Sequence, residues 1–326
     1  MLEARKVLVT GGAGFIGSHL VERLLELSCD VSVADNLSRG TVENIEPFLG
    51  KIRFHKTDLT SMKNCLSVTR DVDYVFHLAS SVGGVQYIRT QNVDNLTPSI
   101  LMNMNMLEAA RTCGVERFAF TSSACVYRGR NSSLNRFKED DAFPADPPTT
   151  YGWAKILGEV ACRSYHKDYG IKCAVVRIFN AYGEKENLDP RWSHVVPSLI
   201  RKAILYPKES FRVFGDGRQE RAFLYVKDCV EGLIVAMERI SDAEPVNLGG
   251  EEVISIRQLA KKIVSLSGKD IQIKFDPSGP RGVNRYCADT TKMKNVLNWR
   301  PRISLEEGLK KTYQWAEEVL AKTGSR

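Results

Sequence analysis

The stretch Val7-Leu8-Val9-Thr10-Gly11-Gly12-Ala13-Gly14-Phe15-Ile16-Gly17-Ser18 passes from a short apolar run through a glycine-rich turn into a helix-period segment ending near Leu27. Glycines at such a junction let the backbone turn tightly and approach a pyrophosphate, while the free N–H groups of the helix start face the anion. Gly11, Gly14, Phe15, Ile16 and Gly17 are therefore candidate cofactor contacts. Glycine-rich turns are common, so the flanking residues decide the meaning of this one. Asp35 closes the second apolar run eighteen residues beyond Gly17, where its carboxylate, with Asn36 beside it, can accept from adenosine ribose hydroxyls. The same carboxylate disfavours the extra phosphate of NADP, although Arg39 offsets part of that repulsion; NAD is the expected cofactor.

Outward from this unit, residues 31–34, 52–55, 74–78, 118–122 and 173–178 are further strand candidates, and 18–27 and 100–113 are helix-period segments between strands. This alternation predicts an α/β fold, a Rossmann-type doubly wound parallel sheet that binds ligands at the carboxyl ends of its strands. Asp58 and Leu59 follow the third strand and are placed to hold an adenine edge. Leu78 and Ala79 follow the fourth and can line the pyrophosphate and ribose; an ordinary strand-end loop would read the same way. After Tyr182-Gly183 the pattern changes to loops, isolated helices and strand-like pieces at 222–226 and 245–248. Residues 1–182 are the expected NAD-binding unit, joined by a segment returning at 222–250. Residues 183–221 and 251–326 are the expected smaller, mostly C-terminal substrate-binding lobe.

Composition limits the class of protein. The chain has 326 residues, 43% hydrophobic and 26% charged, and no apolar run approaching the roughly 18 residues needed to cross a membrane. Glu3, Arg5 and Lys6 lead straight into the first strand, leaving no signal-peptide core, so a soluble cytoplasmic protein without membrane attachment is expected. The eight cysteines form no C-x-x-C pair and no zinc spacing; no metal is expected, and all but Cys125 read as reduced, mostly buried thiols. The net charge of +7 is spread through the sequence rather than gathered in a basic tract. This argues against a nucleic-acid partner and suits either a polyphosphate-like small ligand or a solvated surface.

Tyr151 and Lys155 stand four residues apart, one turn along a helical face. A tyrosine that removes a proton from a sugar hydroxyl while hydride leaves the carbon must act as phenolate near neutral pH. A neighbouring ammonium and a positive nicotinamide favour that form. The spacing also arises by chance as an exposed helical pair. What distinguishes it here is Thr121-Ser122-Ser123 at a strand end, whose hydroxyls can donate to the reacting oxygen, together with the upstream glycine turn.

The chain resembles the extended short-chain dehydrogenase/reductases, specifically the nucleotide-sugar epimerases. The resemblance rests on the glycine turn, Ser122-Ser123-Ala124-Cys125-Val126-Tyr127, Tyr151-Gly152-Trp153-Ala154-Lys155, Arg177-Ile178-Phe179-Asn180-Ala181-Tyr182-Gly183, Gly215 to Phe223, Ala288 to Lys292 and Trp299-Arg300-Pro301. It implies that Tyr151 is the base, that Lys155 anchors the nicotinamide ribose and that Ser123 contacts the sugar hydroxyl. Asn180 and Arg221 would hold the substrate diphosphate, with Arg281 or Arg285 adding a second cation. Many relatives brace the active-site helix with an asparagine where this chain has Ser99. The resemblance also implies a homodimer through the helices at 100–113 and 151–165. Leu101, Met102, Met104 and Met106 fit a helix buried on several sides, although a monomeric core helix would look the same.

Oxidation at C4 of a hexose gives a 4-keto sugar. A dehydratase then needs an acidic pair after the serine-rich strand, where this chain has Ala124-Cys125. A thiol at Cys125 could exchange a proton at C5 or C3 if the site depresses its pKa; it could equally be a small packed residue. The run 122–127, with Gly83-Gly84 and Gly279-Pro280-Arg281-Gly282-Val283, is similar to the GDP-mannose 3,5-epimerases. That family has a lysine as second acid/base before a proline. Arg191-Trp192-Ser193-His194-Val195-Val196-Pro197 contains none, and His194 could substitute, contact a phosphate, or be a surface histidine. The competing readings are a UDP-glucose/UDP-galactose 4-epimerase in which Cys125 is a bystander, and a non-catalytic NAD-binding regulator. The intact Ser123, Tyr151 and Lys155 set argues against the latter.

Overall fold

The computed structural model describes residues 2–83, 92–128, 136–278 and 284–324. The chain opens with β1 (Lys6–Thr10), α1 (Phe15–Glu26), β2 (Asp30–Asp35), β3 (Arg53–Lys56), α2 (Met62–Thr69) and β4 (Tyr74–His77). Next come α3 (Asn92–Thr112), β5 (Arg117–Ser123), α4 (Thr150–Tyr169) and β6 (Lys172–Ile178). The second half adds α5 (Val195–Leu205), α6 (Val226–Arg239), β7 (Asp242–Leu248), α7 (Ile256–Ser267), α8 (Thr291–Leu297) and α9 (Leu305–Gly324).

The main sheet has the order β7-β6-β5-β4-β1-β2-β3 with parallel neighbours. Strand side chains alternate between faces, and helices cover both, so the central strand is apolar throughout. Val7 and Val9 face a core with Leu20 of α1 and Leu233 of α6, while Leu8 faces Met106 of α3 and Cys162 of α4. The direction of winding reverses between β1 and β4, which opens a crevice at their carboxyl ends. The doubly wound α/β fold expected from the sequence is the one observed.

A separate core gathers Leu199 and Ile200 of α5, Leu259 and Ile263 of α7, and Leu309 of α9. Helix α7 begins in a capping box, Ser255 with Gln258, and ends at Gly268 with φ 63°. Two details differ from the sequence reading. The strand expected at 222–226 is two short pieces, Glu220–Ala222 and Leu224–Tyr225. Helix α3 starts at Asn92 rather than 100 and encloses Pro98, which lacks the N–H of an ordinary helical residue.

Helices α3 and α4 pack together on one face of the sheet. Trp153, Leu157 and Val160 on α4 and Leu101 on α3 are each between 41% and 43% exposed. No described helix is long and apolar enough to cross a membrane.

Candidate active site

A cleft of about 1590 Å³ runs from the β1–α1 turn, past the ends of β4 and β5, to the start of α5. Its cofactor end is shaped by missing side chains. At Gly11, φ is 69° and a Cβ would stand 2.9 Å from the Ala79 nitrogen; at Gly17 it would meet the Gly11 carbonyl oxygen at 2.2 Å. Only glycine fits either place. Helix α1 starts after Gly14 with no side-chain cap, so its first N–H groups are left to an anion. Asp35 accepts from the Ala13 N–H at 3.0 Å and from Leu37 N–H at 2.8 Å, which ties its carboxylate to the turn. Burial raises its pKa and those two N–H groups oppose the rise. A cradle without side chains, a helix start and a carboxylate at the end of β2 fit a dinucleotide. Asn36, Asp58, Leu59, Leu78 and Ala79 line the same end, with Phe15 and Ile16.

The reacting end lies where β5 meets α4. Thr149 caps α4 by accepting from Gly152 N–H at 3.2 Å, which sets Tyr151 and Lys155 on the first turns. Lys155 is 2% exposed, and its Nζ donates to the Thr121 carbonyl at 2.7 Å and lies 5.5 Å from the Tyr151 ring centre. Burial lowers its pKa to about 8. Burial pushes the Tyr151 phenol up, Cys125 adding to the rise and Ser123 opposing it. Two of the three hydroxyls expected to donate are engaged within the fold. Thr121 donates to the His77 carbonyl at 3.0 Å and Ser122 donates to Glu159, leaving Ser123.

Cys125 lines the cleft beside these groups, its N–H donating to Ser123 Oγ at 3.1 Å. The sequence reading required a depressed thiol pKa. Burial instead raises it, with Ser123 and Lys155 opposing, so in the free protein Cys125 is held as a protonated thiol.

Asn180, Arg221, Gly83 and His194 also line the cleft. The Asn180 amide donates to the carbonyls of Ala222 (3.0 Å) and Tyr286 (3.3 Å) from a left-handed backbone, φ 43°. Arg285 stands outside the cleft lining and pairs with Glu220 at 3.3 Å. Gly84 and Arg281 lie outside the described residues. Arg39, considered near the ribose, stacks its guanidinium 3.8 Å from the Trp192 ring centre.

Several participants were not foreseen. Asn103 on α3 donates to the Ala154 carbonyl of α4 at 3.2 Å, the bracing that the sequence reading sought at Ser99. Ser99 instead accepts from the Ser81 N–H at 3.2 Å. Glu186, 4% exposed, contacts His194 Nδ1 at 2.7 Å. An asparagine in a methionine-rich run and a glutamate eight residues before a histidine were the available signals.

Residues 7–249 match the model of the NAD dependent epimerase/dehydratase family. GDP-mannose 3,5-epimerase 1 of Oryza sativa subsp. indica is 36% identical over 325 residues, covering 98% of this chain and 84% of its own. A UDP-N-acetyl-alpha-D-glucosaminuronate decarboxylase of Bacillus cytotoxicus is 33% identical, covering 97% of this chain and 98% of its own. The solved UDP-glucose 4-epimerase of Thermotoga maritima, with UDP-glucose, superposes with TM-score 0.89 at 31% identity over 96% of this chain and 99% of its own. With the glycine cradle and Asp35 in place, the chain belongs to the NAD dependent epimerase/dehydratase family of extended short-chain dehydrogenase/reductases, and NAD is its cofactor.

Proposed function

We propose that this enzyme inverts carbons of a GDP-hexose through a 4-keto intermediate, in the manner of a GDP-mannose 3,5-epimerase. The observation that carries this reading is Cys125 on the cleft wall, bonded through its N–H to Ser123 and lining the same cleft as Tyr151 and Lys155. The 36% identity to the rice GDP-mannose 3,5-epimerase over 98% of the chain supports it.

In this reading Tyr151 takes the C4 hydroxyl proton, with Ser123 donating to the same oxygen and Lys155 supporting the phenolate. NAD held at the glycine turn would supply the hydride chemistry at C4. The glycine turn, Asp35 and the first unit, residues 1–182, hold the dinucleotide. Arg221 holds the diphosphate of a sugar lying against residues 183–221 and 251–326, beside the turn that the Asn180 amide fixes through the Ala222 and Tyr286 carbonyls. The 4-keto group acidifies hydrogens at C3 and C5, and the Cys125 thiol delivers a proton there.

The similarity to the Thermotoga 4-epimerase favours a second reading, a 4-epimerase in which the keto sugar turns over and Cys125 is silent. Incubation with GDP-mannose, and separately with UDP-glucose, in deuterated buffer separates the two. Deuterium at C3 or C5 of a GDP-sugar, lost in Cys125→Ala, is the expected result. UDP-galactose formed without deuterium makes this a 4-epimerase, CO₂ released from a UDP-uronate makes it a decarboxylase, and NAD binding without turnover makes it a regulator.

A further inference from the structure

A proton delivered by Cys125 to one face of the sugar requires a base at the other. We propose that Glu186 and His194 form this base, His194 taking the carbon-bound proton and Glu186 acting as the positioning residue that orients it. The inference rests on the proton-exchanging reading above and adds to it the group that reading lacks.

Geometry carries the assignment. The Glu186 side chain is 4% exposed, and its Oε1 is 2.7 Å from His194 Nδ1, whereas the His194 ring is 53% exposed and lines the cleft. Glu186 Oε2 is buried with no partner among the described residues. A carboxylate buried for packing alone would have both oxygens satisfied, because each unpaired oxygen is costly. His194 stands at the N-cap position of α5 but its side chain does not cap the helix. With Nδ1 engaged by Glu186, Nε2 is the nitrogen available to a ligand, as in carboxylate–histidine base pairs generally.

The loop is also held in place. Glu184 accepts from Tyr225 at 2.7 Å, and its carbonyl lies 3.0 Å from His19 Nε2. Lys185 reaches the Asn44 carbonyl at 3.2 Å. The other charges nearby are engaged elsewhere. Arg191 binds Asp189 at 2.5 Å, Lys202 on α5 donates to the Arg212 carbonyl at 2.7 Å, and Arg39 stacks on Trp192. Lys155, Tyr151 and Cys125 lie at the β5 end of the cleft. Glu186 is the charged neighbour whose hydrogen bond and charge leave the His194 pKa raised.

The step balances as follows. The C–H bond beside the ketone breaks, its proton joins Nε2 of neutral His194, and the electron pair passes into the enolate. That pair then takes the Cys125 S–H proton on the opposite face, leaving imidazolium and thiolate. Both are reset by proton exchange with water, which carries solvent hydrogen into the product.

The test uses the full chain with NAD and GDP-mannose in deuterated buffer, comparing wild type, His194→Gln and Glu186→Gln. His194→Gln is expected to lose deuterium incorporation by on the order of 10²-fold or more while transient reduction of NAD persists. Exchange requires neutral imidazole, so it rises with pH through the His194 pKa. Glu186→Gln removes the carboxylate and is expected to move that limb to lower pH. NMR titration of the His194 ring, which needs no substrate, is expected to show the same downward move. A His194→Gln variant with raised KM and unchanged exchange per turnover makes His194 a phosphate contact and overturns the proposal, as does an unmoved ring titration in Glu186→Gln. Wild-type protein that exchanges no deuterium overturns the preceding reading and this base with it. Exchange that survives in both variants overturns the base alone.

Discussion

Asn103 on α3 donates to the Ala154 carbonyl of α4 at 3.2 Å, and this bond ends a chain that begins at the glycine turn. Thr10 Oγ1 accepts from the N–H groups of Leu78 and Ala79, both at 3.2 Å, so its own proton goes to His77 Nδ1 at 2.8 Å. His77 Nε2 then donates to Asn103 Oδ1 at 3.1 Å. Burial, with Lys155 adding to it, lowers the His77 pKa to about 3, so the ring is neutral and the direction of the chain is fixed. Cofactor turn and active-site helix thus share one hydrogen-bond path.

Asn103→Leu leaves His77 Nε2 without a partner and removes the cross-helix donor to the Ala154 carbonyl. The expected destabilisation is about 1–3 kcal/mol in urea denaturation. Because α4 carries Tyr151 and Lys155, kcat falls while NAD affinity, set at the glycine turn, holds. Unchanged kcat would show that the path does not position α4.

Glu159 and Arg177 form a two-pronged pair, Nε to Oε1 at 2.9 Å and NH2 to Oε2 at 2.7 Å, with both side chains at most 3% exposed. Arg177 also donates to the Tyr127 hydroxyl at 2.9 Å and the Glu139 carbonyl at 2.6 Å. The pair joins α4 to β6 beneath Ser122. Glu159→Leu strands a buried guanidinium and is expected to destabilise by about 3–5 kcal/mol, whereas Glu159→Leu combined with Arg177→Met recovers a large part of that loss. A double variant as unstable as the sum of its singles would mean that the pair is not coupled.

Burial brings Lys155 down to about 8, so its charge is lost as pH rises through that value. The charge supports the Tyr151 phenolate, and kcat/KM reports the free enzyme. The alkaline limb of kcat/KM is therefore expected near 8. Lys155→Arg keeps its charge far above that range, so its limb, measured on whatever activity remains, moves upward. A limb in the same place in both proteins would assign it to another group.

The frame was legible because its periods are long and consistent. Val7-Leu8-Val9 is apolar on both faces, which demands helices on both sides, and Gly11 and Gly17 sit where a Cβ would strike backbone. Tyr151 and Lys155 share a helix, so spacing alone aligned them. What was not legible depended on contacts across the fold. Asn103 and Asn105 look alike in the run Met102-Asn103-Met104-Asn105-Met106, yet only Asn103 faces α4, while Asn105 donates to the Thr60 carbonyl at 2.9 Å. Thr121 and Ser122 read as substrate hydroxyls until His77 and Glu159 engage them. The direction of the Cys125 shift is set by burial, which no local pattern reports. Glu186 lies in an aperiodic loop, where nothing local marks its carboxylate as buried.

The apolar stripe on α4 makes a last prediction. Trp153, Leu157 and Val160 recur at helical spacing on one side, all more than two-fifths exposed. Apolar residues at a, d and e-like positions on a helix pair are stable when a second surface covers them. A second copy of the same pair, related by a twofold axis, offers a self-complementary cover. Light scattering of the wild type is expected to give twice 36.6 kDa. Leu157→Glu combined with Val160→Glu places charges in that contact without touching the core and is expected to give the monomer. The glycine turn and Asp35, which shape the dinucleotide end, include none of the stripe residues, so this monomer is expected to keep NAD binding. A wild type that runs as a monomer at every concentration would leave the stripe without this partner.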